Sequence, residues 1–214
     1  MDPHSIHDAL AQVREVRQRV IERERFLGYS AGGRFFGGAL ALAAAWLMSR
    51  PAFPRADWPI LAGWCLTAAL AAAVNYGLCL RWYRTLPEGV RQPGRLYPLL
   101  DTLPPLLLAA ALTGALAWRG QFDLLSGAWI ALLGLVNFYS HHHLPRSIRA
   151  LGMFYLCCGI LFLLDPAVRF VNPWPMALVF LAGETVGGWI VRQNARAGRL
   201  WPALPATGDG RERS

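Results

Sequence analysis

The chain has 214 residues, of which 55% are hydrophobic and 16% charged, and a formal net charge of +8. Soluble domains carry about a quarter charged residues, so the deficit points to lipid instead of a water-soluble domain. All 21 basic residues are arginine. They flank apolar segments and do not cover one face of a domain, so they read as a topology signal and nucleic acid is not an expected partner.

The first 33 residues are heavily charged and hold no apolar signal-peptide core. The first span is therefore expected to act as an uncleaved insertion signal. Residues 5–27 predict an amphipathic helix. Ser5 and Asp8 have capping-box spacing, and Ile6, Leu10, Val13, Val16 and Val20 recur every three or four residues. That narrow stripe suits packing on a second copy, on a partner protein or on the inner membrane surface. Residues 1–30 are thus expected to form a cytoplasmic helix.

Six apolar segments follow, near 33–49, 58–80, 99–118, 124–140, 150–165 and 174–191. Each approaches the length that crosses a bilayer core of about 30 Å. Seventeen arginines fall on one side of this arrangement and only Arg50, Arg55, Arg119 and Arg169 on the other. The positive-inside rule then puts both termini in the cytoplasm of a multi-pass inner-membrane protein. The expected fold is all-α: a six-helix transmembrane bundle over 31–193, followed by a disordered cytoplasmic tail over 194–214. A weak repeat joins Arg34-x-x-Gly37 and Trp58-Pro59 to Arg149-x-x-Gly152 and Trp174-Pro175. Proline has its own local reason to sit in a first helical turn, so chance is the simpler source.

Glu184 is the sharpest single residue, lying ten positions after Trp174 and eight before Arg192. An ionisable group at that depth is a functional candidate by default. The plainer account is a neutral carboxylic acid hydrogen-bonded across a helix interface. Gly183 and Gly187 flank it, and Gly33 and Gly37 open the first span; both pairs are candidate helix-contact positions. Asn75, Asn137, Tyr139, Asp101 and Thr102 fall in the same half and complete a candidate cytoplasm-facing polar pocket. Asp101 and Thr102 precede Leu103-Pro104-Pro105. Either the third span is kinked there, or its regular part starts there with Asp101 or Thr102 as N-cap.

His4, His7, His141, His142 and His143 are the five histidines. Imidazole suits transition metals, but neighbouring helical residues point about 100° apart, so three consecutive histidines do not converge on one ion. They read first as polar residues at the headgroup level, with a metal-responsive site at the membrane face as the lesser alternative. The four cysteines sit in apolar runs without CxxC spacing. No cofactor is expected, and no nucleophile–base, phosphate-loop or HExxH pattern occurs.

Leu103-Pro104-Pro105-Leu106, the segment from Ser126 to Gly134, and a last span with a polar residue before Gly187-Gly188 resemble a group of bacterial six-transmembrane-helix inner-membrane proteins. The resemblance implies the fold and supplies no activity. Its members look to carry His where this chain has Glu184. Two functions are expected on these grounds. One is a non-enzymatic membrane protein acting through self-association or a membrane or cytoplasmic partner. The other is a small transporter using Glu184 and the polar pocket.

Overall fold

A computed structural model of the chain describes residues 30–85, 102–139 and 147–199. Among them the protein is all-helical, with six helices and no strand. These are α1 (Ala31–Met48), α2 (Asp57–Thr85), α3 (Leu103–Trp118), α4 (Asp123–Tyr139), α5 (Ile148–Leu164) and α6 (Trp174–Arg199). Among the described residues, each of the six expected apolar segments corresponds to a helix. Helices α1, α2 and α6 up to Asn194 are long and apolar enough to cross a membrane. Helices α3, α4 and α5 are apolar but shorter, at 16, 17 and 17 residues.

Local chemistry sets most of the helix ends. Ser30 caps α1 by accepting the Gly33 amide on its Oγ at 3.3 Å. Pro59, Pro104 and Pro175 each stand in the first turn of a helix, where the missing amide hydrogen costs nothing. Of the two accounts of Leu103-Pro104-Pro105, the regular helix starts there. Thr102 occupies the N-cap position without a side-chain capping bond. Its hydroxyl instead lies 2.6 Å from the Tyr76 hydroxyl on α2. Asp101 is outside the described residues. The turn between α3 and α4 needs a left-handed residue, and Gly120 supplies it with φ +69°. The Gln121 amide then reaches back to the Leu116 carbonyl at 2.8 Å, closing α3 in the Schellman manner.

Two antiparallel pairs form the centre. In α4 and α5, Gly127 faces Gly159 and Gly134 faces Gly152. A Cβ on Gly134 would stand 2.6 Å from the Leu156 nitrogen, and one on Gly152 would stand 2.6 Å from the Phe138 nitrogen. The backbones themselves are in contact. Lipid tails compete well with apolar side chains, so close backbone approach at small residues is how membrane helices gain attraction. In the second pair, Gly38 of α1 faces Leu181 of α6, and Ala31 faces Gly188. Helix α2 leans on α1, α3 touches α4, and α5 makes a thinner contact with α6.

Aromatic rings fill the end of the bundle where α4 starts. Phe122 meets Trp58 edge-on at 5.3 Å between centroids, and buried Phe170 lies against both Phe122 and Trp129. Asp123 ties this end together, accepting the Phe170 amide at 2.8 Å and pairing with Arg169 at 3.1 Å. Outward faces carry bare leucines, among them Leu66, Leu107 and Leu164.

One sequence expectation needs amendment. Helix α6 runs to Arg199, so residues 194–199 belong to it and not to a tail, and Asn194 bonds the Ile190 carbonyl within it. The halves of the weak repeat play different parts: Arg34 is buried, whereas Arg149 is exposed and sits over the Phe138 ring. Residues 1–29, with the expected amphipathic helix, and 200–214 lie outside the described residues.

Candidate functional site

Four helices contribute one side chain each to a polar cluster. Arg34 comes from the first turn of α1, Asn137 from the last turn of α4, Tyr155 from α5 and Glu184 from α6. The Arg34 side chain is only 5% exposed and that of Glu184 16%. Arg34 Nη1 lies 3.6 Å from Glu184 Oε1, an ion pair a little too long for a good hydrogen bond. Arg34 Nη2 donates to Asn137 Oδ1 at 2.6 Å. The Tyr155 hydroxyl donates to the same Glu184 Oε1 at 3.0 Å. Asn137 completes its own bonding by donating from Nδ2 to the Leu133 carbonyl at 2.9 Å, which fixes its amide orientation.

Each partner of Glu184 occupies space that a glycine leaves. A Cβ on Gly187 would run into the Arg34 guanidinium, and one on Gly183 into the Tyr155 phenol. The G-x-x-x-G spacing around Glu184 therefore houses two polar side chains. It does not admit a second helix backbone, as its spacing had suggested. The backbone contacts of α6 with α1 are at Gly38, where a Cβ would lie 3.4 Å from the Leu181 Cα, and at Gly188, where one would lie 3.2 Å from the Ala31 carbonyl oxygen.

The cluster lies between the two central helix pairs. Arg34 and Glu184 belong to the α1/α6 pair, and Asn137 and Tyr155 to the α4/α5 pair. An uncompensated charge would cost several kcal/mol in such a place. Here opposite charges cancel, and a hydroxyl and an amide take part of the remaining bonding capacity. An apolar stack continues from Tyr155 through Phe180 to buried Trp64.

The other expected site residues lie elsewhere. Tyr139 is 68% exposed. Two residues beyond Asn137 is about 200° around a helix, so the two cannot share a face, and Tyr139 leaves the pocket. Asn75 packs on Gly33 at the α1–α2 contact, where a Gly33 Cβ would stand 2.9 Å from its Oδ1. That oxygen is buried and accepts no hydrogen bond from a described residue. Thr102 joins Tyr76. A Cβ on Gly37 would meet nothing within 4 Å among the described residues. His4, His7 and His141 to His143 fall outside the described residues. Among the described residues no group of three or more His, Cys, Asp or Glu is placed to hold a metal.

Arg34 and Tyr155 are the residues that sequence reasoning missed. Arg34 satisfies the pattern of a flanking arginine, yet it lies inside the first apolar segment, and an acid inside the last segment calls for such a counter-ion. Tyr155 carried no distinguishing signal within its apolar run. A search of protein-family models, curated proteins and solved structures finds no match to this chain.

Proposed function

We propose that the chain is a multi-pass inner-membrane protein with six transmembrane helices and both termini in the cytoplasm, and that it is a small non-enzymatic transporter of charged solutes. Three helices have the length and apolarity to span. Helices α3 to α5 measure about 24–26 Å at the usual rise, short of a core of about 30 Å but within reach with flanking residues. The arginine distribution supports the orientation.

One observation carries the functional reading: a buried pair of opposite charges, Arg34 and Glu184, stands where two tightly packed helix pairs meet through a thinner contact. Charged side chains at such depth mark solute pathways more often than they mark stability. Transporters commonly bind their solute where two helical units face each other, because relative motion of the units exposes that place to either side. The test uses vesicles reconstituted with the protein, loaded with a pH-sensitive dye and bathed in chloride, nitrate and pyruvate salts. An acid step outside should be dissipated faster by the wild type than by Glu184→Gln. Equal rates for the two proteins and for empty vesicles sink the reading.

Association is the second reading. It rests on the apolar stripe of residues 1–30 and on Gly37 of α1, where a Cβ would meet none of the described residues within 4 Å. Removing residues 1–30 should then lower the oligomeric state or lose a partner in pull-down, and unchanged behaviour excludes it.

A further inference from the structure

We propose that the outward face of the α4/α5 pair selects phospholipids with short acyl chains from the membrane around it. This rests on the reading of the chain as a membrane-spanning bundle and names the lipid that one of its faces takes. The two helices are locked in register. Gly127 stands against Gly159 and Leu163, and Gly134 against Gly152 and Leu156. That pairing sets Asp123 level with Asp165 at one end and Tyr139 level with Arg149 at the other. Tyr139, Arg149 and Asp165 are exposed, and Asp123 is about half so. On each helix 16 residues separate the two levels, about 24 Å at the usual helical rise.

Between those levels the outward side of α5 is apolar throughout. Met153, Phe154, Cys157, Ile160, Leu161 and Leu164 are exposed on it, while Tyr155 turns inward to Glu184. A bilayer core of about 30 Å overhangs this face by about 6 Å. The pair cannot lengthen to meet it, because backbone against backbone at the glycines prevents one helix from sliding along the other. Tilting lowers its height further. Drawing Asp165 or Arg149 into hydrocarbon is costly, so the lipid gives way, and short acyl chains reach both edges without compression. Arg149 adds a cation at the inner edge, where lipid phosphates lie; its guanidinium sits over the Phe138 ring at 5.3 Å. Helix α2 is the counter-case. From Asp57 to Arg81 it runs 24 residues, about 36 Å, which spans an ordinary core with tilt. Short lipids should therefore gather at α5 and not at α2.

Cys157 on α5 and Cys65 on α2 are both exposed, and each can carry a fluorophore in a full-length chain whose other cysteines are alanine. The labelled chains are reconstituted in equal mixtures of dimyristoleoyl- and dioleoylphosphatidylcholine, with one lipid and then the other brominated. Quenching, scaled to that in each fully brominated lipid, reads which lipid touches the label. At Cys157 the short lipid should be enriched about twofold or more, and at Cys65 it should not. Arg149→Leu removes the charged inner edge and should bring the Cys157 ratio towards that at Cys65, whereas Arg149→Lys should leave it unchanged. Equal ratios at the two labels overturn the inference. So does a Cys157 label that neither lipid reaches while Cys65 is quenched, which would put a second copy or another protein on this face. No quenching at either label overturns the membrane-spanning reading itself. If Arg149→Leu does not fold, the comparison of the two labels decides alone.

Discussion

Gly187 lies beneath the Arg34 guanidinium, so that Arg34 reaches Glu184 through the space of a missing side chain. Gly183 stands in the same relation to Tyr155, one turn away. The two glycines and the acid between them form a single device: a helix face cut away on both sides of a carboxylate to admit its two partners.

Gly183→Ala and Gly187→Ala should each destabilise the folded protein by about 1–3 kcal/mol, the usual range for overpacking, and Gly187→Ala should also disturb the ion pair. Gly37→Ala is the control. Its Cβ meets nothing within 4 Å, so it should be neutral or stabilise by up to about 1 kcal/mol through helix propensity. Thermal melts in detergent rank the three. A Gly37→Ala loss as large as that of Gly187→Ala contradicts the packing described.

Arg34→Gln and Glu184→Gln should each destabilise the folded protein, within the roughly 3–5 kcal/mol expected for breaking a buried pair. The double variant should cost less than the sum of the singles. Additive losses measured in a double-mutant cycle count against direct coupling.

Gly134→Ala, Gly152→Ala and Gly159→Ala should be more severe than Gly77→Ala or Gly114→Ala. At the first three positions a Cβ would meet backbone atoms of the facing helix, whereas at the last two it meets nothing. Backbone cannot rotate away as a side chain can, so α4 and α5 must separate. The measurement is the yield of folded, monodisperse protein. Normal yield for Gly134→Ala argues against the contact.

Asp123→Asn tests the opposite end and should be mild. Its partner Arg169 is largely exposed, and exposed ion pairs contribute about 0–1 kcal/mol. The asparagine Oδ1 remains able to accept the Phe170 amide. Melting should fall by no more than about 4 °C.

The helices were legible because apolar runs, bounded by prolines and arginines, fix where a chain turns. Glu184 and Asn137 were legible because polar atoms stand out in such runs. Their partners were not, for two different reasons. An arginine near the start of a span satisfies the same rule as a flanking charge, and only helix pairing shows that Arg34 turns inward. Tyr155 is one aromatic residue among many, and its hydroxyl gains meaning only when α5 is set beside α6. Tyr139 was misplaced for want of helix phase, since two residues from Asn137 is the opposite face. The contact between α4 and α5 had a readable signal in the seven-residue spacing of Gly127–Gly134 and Gly152–Gly159, two helical turns on each side.

Dissipation of an outside acid step by reconstituted vesicles is the most direct test of the account. Wild type should dissipate it faster than empty vesicles, and Arg34→Gln and Glu184→Gln should each fall towards the rate of empty vesicles. Dissipation that survives both substitutions would contradict the assignment of Arg34 and Glu184 as the solute-handling pair.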